Sequence, residues 1–454
     1  MADEPFAKRK KLDVASLAEV DANDVINFRL LDPGSNASDL TEEASFAPEM
    51  AHQFFGNDEM ISGYSDLSVD VWIDQRTYVS FLDIRHSAQH PEATDIPRAF
   101  SEKFAEGLES SKADFLAKLR EVEKPSLESL GPVLSLTDHP DGSTMAVYHV
   151  KLASAHASIR ALHARMQPLL LFFIDGARLI DSTDPEWDML LAVHTKEDAI
   201  TVRGYATVYN GVYSYPDRRR MRVAQILVLP PFQRQGVGRA LLQSVYALAD
   251  AHDAPEVTYE DPTDNMQSIR EKLELERAAR LEWLRSAAAT CAHSCAAANG
   301  SGQVPEQNGH GGGEDSHSIA LSVPYTQRAQ RELRVSKQQV RKLWEALLSS
   351  RPEMQSGEGA ARLEALVQAR LVGSVTSTKR VVENKRVYER EGGFIMTKCA
   401  ANSRVGAGAG MPPALESEDA SGQSAEEREA ALAEAVRARM EELRRLSAFV
   451  QRLR

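Results

Sequence analysis

At 454 residues the chain is long enough for two or three domains of about 150 residues each, and it needs neither disulfides nor metal to bury a core. Hydrophobic residues make up 43% and charged residues 26%, which excludes a wholly disordered or fibrous protein. The 53 basic and 66 acidic residues give a net charge of −13, which disfavours non-specific nucleic-acid binding. That balance suits a basic protein partner or, more simply, solubility.

Residues 1–25 read as a polar tail with one basic cluster, Lys8-Arg9-Lys10-Lys11, either a nuclear-import address or a solvated tail. Residues 26–150 read as a mixed α+β domain with strands over Ser68–Ile73, Tyr78–Ile84 and Met145–Val150. Residues 151–285 carry the strongest order. Ile159, Leu162, Met166, Leu169, Leu170 and Phe173 fall at helical spacing, and Pro168 must kink or restart that helix. Trp187–His194 and Ile200–Tyr209 read as a hairpin, and Arg222–Leu229 as an apolar strand stopped by Pro230-Pro231. A helix over Gln233–Ala251, a short strand over Val257–Glu260 and a helix over Met266–Leu284 complete an α/β unit.

From Ser286 alanine, glycine, serine and histidine dominate, so 286–322 reads as a flexible linker or insertion. A helical region follows over 323–400, with Ser336 and Gln339 in a capping-box pattern ahead of Val340, Leu343, Trp344 and Leu347. Residues 401–454 combine a glycine-rich stretch, Asn402–Gln423, with a terminal helix opened by Ser424 and Glu427. Its apolar positions, Leu432, Val436, Met440, Leu443, Leu446, Val450 and Leu453, form one stripe that must dock on this chain or on another.

Several function classes recede. The longest apolar run, Leu169–Ile174, falls far short of the ~20 residues that cross a bilayer, and the first residues lack an apolar signal core. Three cysteines do not make a disulfide framework, so a soluble intracellular protein is expected. Cys291, His293, Cys295, His310 and His317 match no zinc-finger spacing, and no metal is expected. Cys399 has no evident catalytic partner, and the helix from Ser336 to Leu348 does not pair into a DNA-reading motif. Trp187 and Tyr205 sit on strand patterns and read as core.

The most informative segment runs from Gln225 to Leu242. An apolar strand leads into Gln233-Arg234-Gln235-Gly236-Val237-Gly238 and directly onto a helix, whose start offers unpaired N–H groups and a favourable dipole for a pyrophosphate. The spacing is neither a P-loop nor G-x-G-x-x-G. Taken alone, the pattern is also met as a structural turn.

In its strand-to-helix context this segment resembles the acetyl-coenzyme A signature of the GCN5-related N-acetyltransferases (GNAT), and the likeness narrows to type B histone acetyltransferase catalytic subunits. His52-Gln-Phe-Phe-Gly-Asn-Asp-Glu59, Phe173–Asp181 with Trp187, Tyr205–Asn210 through Tyr215-Pro216, and Gln225–Leu242 with Glu260-Asp261-Pro262 carry it, in order, across about 210 residues. The resemblance implies a GNAT fold: a mixed central sheet flanked by helices, with a mixed N-terminal domain and a helical C-terminal region. It implies acetyl-CoA as co-substrate. Ile226, Leu227 and Val228 would lie beside the pantetheine arm, Gln233, Arg234, Gln235, Gly236, Val237, Gly238 and Arg239 around the pyrophosphate, and Thr263 and Lys272 would add polar contacts.

An amine must lose a proton before it attacks a thioester, whose carbonyl then needs a donor. Glu260, ending a short strand, matches the family's principal catalytic glutamate, and Asp261 and Asp175 match its two companions. Asp261 before Pro262 also reads as a turn residue and Asp175 as a surface residue; Asp175 is one methylene shorter than the family's glutamate. The oxyanion donor would be a backbone N–H near Val228. Asn57, Asp58, Glu59, Trp187, Tyr209 and Asn210 match the histone-tail side, one residue being inserted between Asn210 and Pro216.

These likenesses imply direct attack in a ternary complex on lysines of a newly made histone H4 tail, a WD-repeat histone-binding partner, and nuclear and cytoplasmic localisation. No direct nucleic-acid or membrane contact is expected. The alternatives are the same chemistry on another protein amine, or a non-catalytic histone escort that binds acetyl-CoA.

Overall fold

The computed structural model describes residues 19–32, 40–197, 199–214, 218–297, 319–372 and 425–453. The chain divides into two compact units, Met1–Ile269 and Arg270–Arg454.

The first unit holds two sheets. The smaller takes β1 (Ile26–Leu31), β2 (Glu42–Phe46), β3 (Ser68–Asp74), β4 (Ser80–Arg85) and β5 (Leu108–Glu109) in the order β2-β1-β3-β4-β5. The larger has six strands in sequence order: β6 (Val133–Asp138), β7 (Thr144–Lys151), β8 (Trp187–Lys196), β9 (Ala199–Ser214), β10 (Arg218–Val228) and β11 (Val257–Tyr259). All its neighbours are antiparallel except β10 and β11, which run parallel through a crossover helix, Val237–Ala251. That helix buries Val237, Leu241, Val245 and Leu248 at helical spacing, so one apolar stripe faces the sheet.

In the larger sheet β6 precedes residue 150 and β7 runs through it, and Met145–Val150 pairs with Met189–His194. The expected boundary at 150 therefore cuts through a sheet. A strand cannot be assigned to a domain by its own alternation, only by its pairing partner. The two sheets also share one core: Phe54 stacks on Phe172 at 4.1 Å between ring centroids, and Phe28 meets Phe172 edge-on at 5.0 Å. Pro168 acts as expected, since the α-helix Ala157–Met166 gives way to a 3-10 turn, Gln167–Phe172.

The second unit is helical. It contains Glu282–Ala297, Val323–Leu333, Lys337–Ser349, a helix over 357–372, and Ala425–Arg452. The helix Asp264–Arg280 carries the chain from the first unit into it. Glu282–Ala297 corrects the sequence reading at one point: the expected linker from Ser286 begins with a helix, because its alanines are the strongest helix formers available. Residues 298–318, with His310 and His317, lie outside the described residues, as do Lys8–Lys11, Tyr215-Pro216, Cys399 and Asn402–Ser424. Ser336 caps its helix by accepting from the Gln339 N–H. Among the described residues no cluster of His, Cys, Asp and Glu could hold a metal, and no helix is long and apolar enough to cross a membrane.

The terminal stripe docks within its own unit. Val436, Leu443, Leu446 and Val450 are buried, and Ser349 donates to the Leu443 carbonyl. The docking is also ionic: Arg439, nearly buried, donates to Glu271 at 2.7 Å, to Glu345 at 3.3 Å and to Glu442 at 2.7 Å. Removing the guanidinium strands the buried Glu271 and leaves Glu345 with Arg370 alone. Arg439→Leu is expected to cost ~3–5 kcal/mol of stability, seen as a lower urea midpoint for the second unit.

In the first unit His163 is fully buried, packs edge-on against Tyr205, and has a partner at neither ring nitrogen. Burial pushes its pKa down to about 4. Its fold therefore holds the neutral ring, while the unfolded chain takes up a proton below about 6.5. Stability is full above that value and falls as pH drops from about 6.5 towards about 4. Urea titrations of the wild type and His163→Leu across this window should show a pH slope that the variant lacks.

Candidate functional site

The site grows from one interruption in the larger sheet. Parallel pairing of β10 with β11 runs Met221–Val257, Arg222–Thr258 and Val223–Tyr259, and ends where the Glu260 N–H donates to the Val223 carbonyl at 2.9 Å. Beyond it β10 continues through Ile226, Leu227 and Val228, paired on its other side with Ala206, Tyr205 and Gly204 of β9. The Leu229 N–H points to the Arg203 carbonyl on the β9 side. Alternation then turns the N–H and C=O of Val228, and of Ile226 two residues earlier, towards the side that β11 has left. The Val228 carbonyl accepts from Gln233 Nε2 at 3.0 Å, as this orientation requires. The β9–β10 approach there is close: a Cβ on Gly204 would sit 2.4 Å from the Leu227 carbonyl oxygen.

After Pro230-Pro231 the chain turns through Gln233–Gly236, all exposed, into Val237–Ala251. Gln235 Nε2 donates back to the Pro231 carbonyl at 2.8 Å, fixing the turn. Gly236 is the N-cap at φ +86°, a conformation that favours glycine, and no side chain caps the helix. A Cβ at Gly236 would meet nothing within 4 Å, so the fold itself does not use that space. An uncapped N-terminus of a 15-residue helix beside an open strand edge suits an elongated ligand with a phosphate group, as in acetyl-CoA.

Three carboxylates approach this edge differently. Glu260 is exposed at the point of divergence. Asp261, next to it, is exposed with φ +36°, in keeping with a turn before Pro262. Asp175 lies on another segment, 84% exposed, with Oδ1 3.4 Å from His52 Nε2. The Asp175 loop is tied to β10 by Gln225, which is buried, donates to the Arg178 carbonyl at 2.7 Å and accepts from the Thr207 hydroxyl at 3.1 Å. Sequence reasoning had not singled out Gln225 or His52; the one signal for Gln225 is a polar residue inside an apolar strand.

The residues on the histone-tail side divide. Asn57 and Asp58 are exposed. Glu59 is instead committed to the fold: Oε1 accepts the Ala51 and His52 N–H groups at 2.8 Å each, and Oε2 accepts Asn23 Nδ2 at 2.5 Å. Burial opposes ionisation there, but those hydrogen bonds outweigh it and hold the carboxyl below its usual range. His52 Nδ1 also lies 3.4 Å from Glu59, so the imidazole spans Glu59 and Asp175. Trp187 and Tyr209 face each other across β8–β9 with rings 4.8 Å apart. Asn210 donates to the buried Asp188 at 2.9 Å, and His149 Nε2 lies 3.2 Å from the same carboxylate.

Thr263 caps the helix Asp264–Arg280, its hydroxyl accepting from the Met266 N–H at 3.3 Å. Lys272 is exposed on the same helix, within the second unit.

This geometry agrees with comparisons to known proteins. Residues 18–175 match the model described as "Histone acetyl transferase HAT1 N-terminus", and residues 172–270 match "Acetyltransferase (GNAT) family". Residues 18–270 are thus similar to a Hat1-type N-terminal domain followed by a GNAT acetyltransferase domain. Among its relatives, the type B histone acetyltransferase catalytic subunit of Arabidopsis thaliana is 31% identical over 276 residues, 57% of this chain and 58% of that protein. The subunit from Zea mays is 26% identical over 396 residues, 83% of this chain and 81% of that protein. The human subunit is 30% identical over 239 residues, 50% of this chain and 57% of that protein. The chain thus spans less than two thirds of the Arabidopsis and human relatives.

By the likeness of residues 172–270 to the GNAT family, the open edge and the Gly236 turn are expected to hold acetyl-CoA. Gly236→Val forces a β-branched residue into a left-handed conformation and puts a side chain into the open space before the helix start. It is expected to weaken acetyl-CoA binding about tenfold or more, read by calorimetry, with thermal stability lowered by only about 1–2 kcal/mol.

Proposed function

We propose that the protein transfers acetyl from acetyl-CoA to lysine side chains of a histone tail, with newly synthesised histone H4 as the substrate. The observation that carries this reading is the Glu260 N–H bond to the Val223 carbonyl, which closes the parallel ladder and leaves the Glu260 carboxylate at the mouth of the diverging strands. A carboxylate there accepts the proton of the lysine ammonium, directly or through a water. The freed amine attacks the thioester carbonyl; the C–N amide bond forms, the C–S bond breaks, and coenzyme A leaves. The Val228 N–H, on the side β11 has vacated, is the donor for the developing oxyanion. Attack is direct, since no cysteine lies near the Gln233–Gly238 motif in the sequence.

Asp175, Asp261, Asn57 and Asp58 make the surroundings acidic and polar, which favours a lysine-rich tail over a neutral one. Glu59 acts by shaping its loop, because both its oxygens are engaged by the fold. The relatives' name, histone acetyltransferase type B catalytic subunit, supports the histone reading. By the same resemblance a WD-repeat histone-binding protein is the partner, and the protein works between cytoplasm and nucleus.

The test is acetyl transfer from labelled acetyl-CoA to an H4 tail peptide. Glu260→Gln is expected to lower kcat ~10²–10⁴-fold while acetyl-CoA affinity is kept. Equal turnover by both proteins would pass the base to Asp261 or Asp175. Coenzyme binding with no turnover on H4 would move the substrate to another protein amine or leave a non-catalytic histone escort.

A further inference from the structure

Arg203 holds an irregular place in the larger sheet. Along β8 and β9, Ala192 pairs with Gly204 and Val193 with Val202, so Arg203 is an extra residue, a bulge in β9. Bulges re-aim a side chain and are frequent beside functional sites. The Leu229 N–H points to the Arg203 carbonyl at 3.4 Å, where β10 ends and the chain turns towards Gly236.

The Arg203 side chain is only 12% exposed. Its guanidinium carbon sits over the Phe232 ring, 3.8 Å from the centroid, which is a close cation–π contact. Nη1 lies 3.7 Å from Glu43 Oε1, and Nη2 lies 3.2 Å from His194 Nδ1. Glu43 belongs to β2 of the smaller sheet, and the buried Gln75 donates to its carboxylate and, at 2.8 Å, to the Leu31 carbonyl. β2 also packs on the 3-10 turn Pro230–Phe232.

Phe232 anchors a segment that is bonded to itself. Its N–H donates to the Leu229 carbonyl at 2.8 Å, and the Gln233 N–H to the Pro230 carbonyl at 3.2 Å. Gln233 Nε2 and Gln235 Nε2 hold the Val228 and Pro231 carbonyls at 3.0 and 2.8 Å. Leu229 and Phe232 are its buried side chains, and the uncapped helix start at Gly236 follows four residues after Phe232. A shift of the Phe232 ring therefore carries the turn with it. A lysine would serve the ion pair with Glu43, but only a flat guanidinium also stacks on the ring.

We propose that Arg203 is a positioning residue for acetyl-CoA: held by Glu43 of the smaller sheet, it clamps Phe232 and so fixes the Gln233–Gly236 turn for the coenzyme's phosphates. This rests on the acetyl-CoA reading above and names the device that sets the affinity. Arg203 is engaged by Glu43, His194 and Phe232, so it acts through the turn and not on the ligand. The smaller sheet thereby governs coenzyme affinity without entering the chemistry at Glu260.

The test measures acetyl-CoA binding to the full chain by calorimetry, beside turnover of H4 tail peptide and thermal melts. Arg203→Met keeps the stem and loses the charge and the flat face, while Arg203→Lys keeps the charge alone. Each is expected to raise the acetyl-CoA Kd and KM about 5–30-fold, with kcat at saturating coenzyme held within about threefold. Phe232→Leu should do the same, and Arg203→Met with Phe232→Leu should lose no more than either alone, since both remove one contact. Glu43→Gln should shift Kd in the same direction by less. A merely structural arginine would lower the melting temperature and leave Kd and KM unchanged, which overturns the proposal while the acetyltransferase reading stands. Additive losses in the double variant, or a fall in kcat at unchanged Kd, also overturn it. If the Arg203 variants do not fold, an unchanged Kd in both Phe232→Leu and Glu43→Gln overturns it instead. A wild-type chain that binds no acetyl-CoA removes the coenzyme reading and this one together.

Discussion

The architecture of the candidate site depends on the ladder between β10 and β11 stopping at Val223 and Glu260. Backbone N–H and C=O groups away from water must find partners, so a sheet that parts in mid-strand commits the exposed edge to a side chain, water or ligand. Here Gln233 takes one such carbonyl, that of Val228. The same parting sets Glu260 beside the gap, and the crossover that makes β10 and β11 parallel supplies the helix whose start faces it. An open strand edge, an exposed carboxylate and an uncapped helix start follow from one topological event.

The N-terminal part of the chain packs into the same core as the sheet that carries this gap. The aromatic core from Phe28 through Phe54 and Phe100 to Phe172 is continuous, so the smaller sheet holds the loop of Asn57–Glu59 by packing. Glu59 makes that loop rigid by accepting two backbone N–H groups and the Asn23 amide. His52, sharing the loop, then reaches Asp175. The aspartate's contact with His52 and the Gln225 tether give it a defined setting despite its exposure.

The second unit uses a different currency of cohesion. Its apolar stripe alone would allow the terminal helix to slide, since leucines at helical period pack in several registers. Arg439 between Glu271, Glu345 and Glu442, with Arg370 also on Glu345, fixes one register, because a shift by one turn would leave buried charges unpaired.

Much was legible in the chain itself. Strand patterns over 68–73, 187–194 and 200–209, the helix after Gly236, the Pro168 break and the Ser336 cap are set by local periodicity and backbone chemistry, which act over a few residues and so can be read there. The turn before that helix was readable for the same reason: Gly236 sits where φ is positive. What lay beyond reach was every feature decided by pairing across distance. Met145–Val150 looks the same in either sheet until Met189–His194 pairs with it. Glu59 reads as a free acid until Asn23, Ala51 and His52 bind it, and Thr263 as a ligand contact until it caps a helix. Nothing in the spacing of Glu260 says that β11 ends there while β10 goes on. Sequence determined which residues could do the chemistry; tertiary structure decided which remained available for it, because hydrogen bonds between distant segments claim some polar groups and leave others exposed.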